Sequence, residues 1–326
     1  MPISCRVTRG ELTESMHVAF ATVVGSQGQI IYSTGDPHYM TCARSSLKPF
    51  QAAAVVNSGA ADAAGYEERE LALMCASHIG QDIHLMTAQS MLSKLGLSIK
   101  DYECGVHQPV HKQSKNDIIR QNKELTPLYN NCSGKHAGML ALARYLKTDV
   151  KNYTHVDHPV QREIIKYLEV LTNLTDIKTG IDGCSLPTPF MSLEKIAMMF
   201  QMLACGEKPE LKTIFNAMSN NPEMIRGNGY FDTEFITAMD GNGISKVGAE
   251  AVKGISMRTD KFGEIGIAIK ILDGNNRAMP IILMKLFDHL ELLNDYQSMK
   301  LDSYRTKVIT NHNGKNVGNI EVFIDF

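Results

Sequence analysis

The stretch Ala43-Arg44-Ser45-Ser46-Leu47-Lys48-Pro49-Phe50, ARSSLKPF, sets a serine three residues ahead of a lysine and follows both with a proline. Proline is tolerated only in the first turn of a helix, because it lacks an N–H and its ring collides with the preceding turn. Pro49 therefore predicts a helix start near residues 45–48. Leu47, Phe50 and Ala54 share one apolar face, and Asn57-Ser58-Gly59 is a stop signal. In such a helix, positions i and i+3 lie side by side, so the Ser45 hydroxyl and the Lys48 amine are expected to meet.

Strand character precedes this helix. HVAFATVV at 17–24 and QIIYST at 29–34 flank the turn GSQG and read as a hairpin. A helix-rich middle follows, with periodic segments at roughly 66–76, 83–95, 136–147, 158–172, 192–205 and 208–218. After about residue 240 strands return, as KVGAEAVKGISMR and IGIAIKIL joined through TDKFGE. A helix at about 279–294 then leads to a hairpin of TKVIT and VGNIEVFI turning at NHNGKN. This order predicts one α+β domain over 1–326, strand-rich at 1–40 and 240–326 and helix-rich at 45–235, with an antiparallel sheet of N- and C-terminal strands and an inserted helical region.

The 326 residues are 44% hydrophobic and 21% charged, the composition of a soluble globular chain able to bury a large core. A net charge of −2 gives no general attraction for nucleic acid. Seven cysteines, at 5, 42, 75, 104, 132, 184 and 205, include no Cys-x-x-Cys pair, which fits a reducing, cytoplasmic setting better than a disulfide framework. The N-terminal residues have no apolar core of signal-peptide length, and IAMMF and MPIILM are far too short to span a membrane.

Five segments carry candidate chemistry. Ser45 becomes a nucleophile only if a base takes its proton, and Lys48 serves only if burial or a neighbouring cation such as Arg44 lowers its pKa; the plain alternative is an N-cap serine with a solvated lysine. In LMCASHIGQDIH, Ser77 and His78 end a predicted helix; adjacent side chains do not face each other, so Ser77 needs a partner from elsewhere. In YNNCSGKHAGML, Cys132, Ser133, Lys135 and His136 crowd a helix start whose free N–H groups suit a carboxylate or oxyanion, unless Cys132 is simply packed inside. The loop TGIDGCSLPTPFMSL holds Asp182 and Cys184, and Cys132 with Cys184 is a weak hint of zinc. Finally, Lys-x-Gly occurs twice: Lys246-Val247-Gly248 opens a predicted strand and is preferred to Lys178-Thr179-Gly180.

Taken together, RSSLKP, CASHIGQDIH, CGVHQP, NNCSGKHAGML, GIDGCSLPTP and KVGAEAV resemble, in order, the signature segments of the rhizobial-type L-asparaginase family. The resemblance implies a serine β-lactamase, penicillin-binding-protein and glutaminase-like amidohydrolase fold, a homodimer, and hydrolysis of L-asparagine to L-aspartate and ammonia. It implies two Ser–Lys pairs, Ser45 with Lys48 and Ser77 with Lys246, and a zinc site of Cys132, Lys135 and Cys184. Arg44, Asp182 and His136 are the expected substrate contacts. Gln81 stands where many members carry glutamate, and Ala251 where glycine is usual; Lys253 and Lys270 lie on the same hairpin as Lys246 and are its rivals. Two other readings share these residues: a β-lactamase-like or general amidase, and a non-catalytic amino-acid or zinc sensor.

Overall fold

Ile3, Cys5 and Val7 alternate with Ser4 and Arg6, the period of a strand with one covered face, and all three are fully buried in β1 (Ile3–Arg9). In the computed structural model, which describes residues 1–324, β1 lies between β2 (Leu12–Val24) and β11 (Asn316–Phe323). β3 (Ile30–Thr34) also pairs with β2. On its other side β2 meets β9 (Gly263–Ile271), followed by β8 (Val252–Thr259) and β7 (Gly243–Gly248), while β10 (Lys307–Thr310) flanks β11. Each of these pairings is antiparallel. Strands from both ends of the chain thus build one sheet, and the fold is α+β as expected.

The inserted region runs through α1 (Lys48–Asn57), α2 (Ala60–Ala63), α3 (Glu68–Cys75), α4 (Asp82–Lys94), α5 (Lys112–Arg120), α6 (Ser133–Tyr145) and α7 (Pro159–Thr172). It continues with α8 (Leu193–Cys205), α9 (Pro209–Asn220), α10 (Pro222–Ile225) and α11 (Phe231–Met239); α12 (Met279–Leu290) and α13 (Asp295–Lys300) follow the sheet hairpins. Two glycines let α8 lie directly on the sheet. A Cβ on Gly266 would come within 1.9 Å of the Ala197 carbonyl oxygen, and one on Gly254 within 1.8 Å of the Phe200 ring. Phe200 also meets Phe50 edge to face at 5.1 Å, which ties α8 to α1.

Several expectations shift. The N-terminal hairpin begins earlier, with β1 and a longer β2. Ser45 falls in a 3₁₀ turn, Arg44–Leu47, and the α-helix proper starts at Lys48, with Pro49 in its first turn. The segment 179–193, expected as a loop, forms β5 (Thr179–Ile181) and β6 (Pro187–Ser192), which join β4 (Met40–Cys42) in a small second sheet. Its prolines argued for a loop because they cannot donate to a ladder. The strand survives because Pro187–Pro189 pair only with β5 and Phe190–Ser192 only with β4. α5 escaped notice because Ile118 is its one buried residue. Among the described residues no helix is long and apolar enough to cross a membrane.

Candidate active site

Where α3 ends, Ala76 turns extended, with φ −71° and ψ 150°, and carries the chain past Ser77 to Ile79. This segment is clipped to the end of α10: Ser77 N–H donates to Ile225 O at 2.9 Å and Ile79 N–H to Arg226 O at 3.0 Å. Arg226 Nη1 donates in return to Ser77 O at 2.7 Å. The backbone of Ser77 is therefore held on both sides before its hydroxyl meets anything.

That hydroxyl receives both lysines. Lys246 Nζ lies 2.8 Å from Ser77 Oγ and Lys48 Nζ 3.2 Å. The bond expected between Ser45 and Lys48 is not formed. Lys48 Nζ is drawn instead to the carbonyl oxygens of Ala76 and, at 3.2 Å, of Asn131. Ser45 Oγ has no hydrogen-bond partner among the described residues. Side chains at i and i+3 lie in line in the 3₁₀ turn that holds Ser45, so local spacing is not what separates the pair; the acceptors brought in from Ala76, Ser77 and Asn131 turn the amine away from it. The rivals of Lys246 are engaged elsewhere: Lys253 pairs with Asp232, and Lys270 holds the carbonyls of Glu250 and Ile271. Lys178 is exposed and paired with Asp176.

Lys48 and Lys246 are both fully buried. Burial disfavours their charged forms and lowers both pKa values; for Lys246 the Lys48 charge adds to the effect and takes it well below the ordinary value. The surrounding acceptors divide their roles. Lys48 faces three, Ala76 O, Asn131 O and Ser77 Oγ, one for each N–H of an ammonium. Lys246 has only Val247 O, at 2.6 Å, and Ser77 Oγ. A neutral Lys246 amine can thus accept the Ser77 proton while the Lys48 ammonium donates to the same oxygen.

Beside this centre Cys132, Lys135 and Cys184 come together, as the resemblance implied. Gly134 makes the approach possible, since a Cβ there would collide with Leu73 O at 2.2 Å as α6 packs on α3. Lys135 Nζ donates to Cys184 Sγ at 3.2 Å. The two thiols share a proton unequally: the hydrogen bond from Cys132 lowers the Cys184 pKa to about 5, while the same bond and burial raise Cys132 to about 12. Burial alone would lower Lys135, but the neighbouring thiols outweigh it and hold its pKa above the ordinary value. Two soft sulfur donors at one point suit zinc, whereas an amine is outside its usual donor set and Lys135 must lose a proton to coordinate. No third His, Cys, Asp or Glu joins them among the described residues.

Arg44 and Asp182, expected to grip a substrate, grip each other: Arg44 Nη2 is 2.8 Å and Nε 3.1 Å from Asp182 Oδ1. Gly183 N–H donates to the same oxygen at 2.7 Å, so Oδ2 is left without a partner among the described residues. Burial would raise the Asp182 pKa, yet Lys135 and Arg44 together keep it below the usual range. His136 lies fully buried with Nδ1 2.6 Å from Tyr153 Oη, while its Nε2 has no partner among the described residues. His78 is no base for Ser77: its Nε2 is 2.9 Å from Ser133 Oγ and its ring stacks on His84. Arg226 and Asp232 stand in no quoted segment yet reach Ser77 O and the Lys246 strand, and Asn131, inside NNCSGKHAGML, contributes through a backbone carbonyl that no side-chain reading marks.

The sequence pattern that defines the L-asparaginase II family matches residues 5–322. No curated protein matches. Among solved structures, that of Mglu in its native form is 14% identical, over 85% of this chain and 66% of that chain, with a TM-score of 0.39. A variant of the class A β-lactamase of the last common ancestor of Gram-negative bacteria is 11% identical, over 88% of this chain and 90% of that chain, with a TM-score of 0.41. The chain therefore spans just under two thirds of the length of Mglu.

Proposed function

The chain belongs to the L-asparaginase II family, and from that premise we propose that it hydrolyses the side-chain amide of L-asparagine to L-aspartate and ammonia, with Ser77 as nucleophile and Lys246 as its base. The observation that carries this reading is the convergence of two buried lysines on one serine oxygen. A nucleophile within hydrogen-bond reach of a base, the base itself oriented by a third group, is the arrangement that activates a hydroxyl. Here the orienting group is Val247 O.

Lys246 removes the Ser77 proton as Oγ attacks the amide carbon, and the Lys48 ammonium beside it favours the developing alkoxide. The proton on Lys246 then passes to the leaving nitrogen, the C–N bond breaks, and ammonia departs from a Ser77 ester. Water, deprotonated by the same amine, attacks that ester; aspartate leaves and Ser77 regains its proton. The free Asp182 Oδ2 suits the substrate ammonium, and Arg44, released from Asp182, suits its carboxylate. His136 Nε2 is a further polar group without a partner among the described residues.

Zinc, if held by Cys132, Lys135 and Cys184, supplies a fixed positive charge for positioning a substrate carboxylate. Cys132→Ser is then expected to lower bound zinc, measured by elemental analysis, and to raise KM more than it lowers kcat. Full zinc occupancy in that variant would remove the assignment.

One observation favours a second assignment of the attacking group: Ser45 Oγ has no partner among the described residues, and the residue is more open than Ser77. Trapping the acyl-enzyme with a slow ester substrate and mapping it by peptide mass separates the two. An adduct on Ser77 is expected; one on Ser45 transfers the nucleophile to the 3₁₀ turn. A protein that hydrolyses a chromogenic lactam but releases no ammonia from asparagine is not an asparaginase.

A further inference from the structure

On the side of β7 away from Ser77 lies a second buried polar cluster to which no step of the reaction has been given. Asp232, in the first turn of α11, is 2% exposed. Its Oδ1 accepts from Ser245 Oγ at 2.6 Å and from Lys253 Nζ at 2.5 Å, and its Oδ2 accepts from Val247 N–H at 3.0 Å. Ser245 and Val247 are the two residues flanking Lys246. In a strand they present their side chains to the face opposite Lys246.

Among the described residues β7 is the outermost strand on its side of the sheet, paired only with β8. Val247 N–H points away from β8, and without Asp232 it would be an orphan donor on a free edge. Val247 is also the residue whose carbonyl holds Lys246 Nζ. One carboxylate therefore fixes the backbone segment that aims the amine at Ser77 Oγ. Resting on the reading of Lys246 as the base, we propose that Asp232 is a positioning residue: through Ser245 and Val247 it fixes β7 so that Lys246 Nζ stays on Ser77 Oγ, and Lys253 balances its charge.

The role of Lys253 follows from what surrounds Lys246. The titratable groups acting on Lys246 are Lys48 on α1, Cys75 on α3, Cys132 at the start of α6, Arg226 after α10 and Asp232 on α11. Asp232 is one of the anionic groups among them, and an anion there favours the charged amine. Lys253, on the neighbouring strand opposite Val247, pairs with the carboxylate so that it can serve as a hydrogen-bond anchor without being left as an unpaired buried charge.

The test replaces the ion pair without leaving an orphan charge. Asp232→Leu with Lys253→Met removes both anchors and both charges, and such apolar exchanges of buried pairs commonly preserve folding. Asp232→Asn with Lys253→Met removes the charges but keeps an amide oxygen for Val247 N–H. The Leu/Met protein is expected to lose roughly tenfold to a hundredfold in kcat with KM little changed, as for a misplaced catalytic group. The Asn/Met protein is expected to recover most of that loss. Wild-type kcat in the Leu/Met protein, or an equal loss in both, overturns the proposal. Should the Leu/Met protein not fold, Ser245→Ala decides: one anchor is gone, so kcat falls severalfold with KM little changed in the folded protein, and an unchanged kcat sinks the idea. Ser77→Ala run in parallel separates the failures, because full ammonia release there refutes the assignment of Ser77 and Lys246 rather than the anchoring.

Discussion

Lys246 and Lys253 lie on adjacent strands of the same sheet, both fully enclosed, yet they are provisioned in opposite ways. Lys253 Nζ has a carboxylate at 2.5 Å and a hydroxyl at 3.3 Å, and it sits 4.4 Å from the centre of the Phe231 ring. Lys246 has a hydroxyl, a carbonyl and a second lysine nearby, and no carboxylate in contact. Burial lowers the pKa of both. At Lys253 the carboxylate opposes that shift, and Asp232 is itself held well below the usual carboxylate range, against its burial, chiefly by Lys253. Burial does not make a base by itself; burial without a carboxylate in hydrogen-bond contact does.

The sharpest way to break this contrast is Lys246→Met. It removes a group that carries little charge when neutral, so ammonia release is expected to fall by about a thousandfold while the urea midpoint hardly moves. The same lysine is read without mutation from the pH profile. Activity requires the neutral amine, so kcat/KM rises as pH climbs through the lowered pKa, and the limb lies below the ordinary lysine value of 10.5. A limb at 10.5 in wild type would return Lys246 to the class of solvated lysines.

Lys253→Met should behave oppositely. It strands Asp232, and losing one partner of a buried ion pair costs on the order of 3–5 kcal/mol, read as a lower urea midpoint. Equal stability losses in the two methionine variants would erase the distinction.

Buried bases of another kind extend it. Burial lowers the His84 pKa from 6.5 to about 4 and that of His136 to about 3. A depressed folded pKa means the unfolded chain takes up the proton first. The stability these groups hold above pH 6.5 is therefore lost as pH falls toward their folded values, about 2 kcal/mol for each between pH 7 and pH 5. Urea titrations at the two pH values measure it, and a flat response would show that these rings are not held neutral.

The smallest effect concerns the turn between β7 and β8, where Glu250 and Ala251 both have left-handed backbone, φ 58° and 53°. Ala251→Gly relieves one of them and is expected to stabilise by about 1 kcal/mol, seen as a modest rise in melting temperature.

Much of this was legible in the sequence because it depends on neighbours along the chain. Pro49 marked the helix start to within the first turn, and Lys-Val-Gly marked the strand that carries Lys246. Cys132, Lys135 and Cys184 meet as the resemblance implied. What was not legible depends on distant partners. Nothing in ARSSLKPF tells that the carbonyls of Ala76 and Asn131 draw Lys48 away from Ser45. Asp232, in the unmarked segment Tyr230-Phe231-Asp232, gains its place only when α11 meets the edge of β7. The mutual ion pair of Arg44 and Asp182 was equally hidden, because each was read as waiting for a substrate.

The pairing of β1 with β11 has a consequence for how the molecule is made. Cys5 faces Val322 and Arg6 binds Glu321 across 315 positions of chain. Contacts so remote form late and slow folding. As the chain emerges from the ribosome, β1 can dock on β2 at once, but its other edge stays unpaired until β11 has been synthesised. A growing chain therefore carries an open template for strand addition throughout the interval between β1 and β11. Chaperone dependence and misassembly on overexpression are expected to trace to that edge.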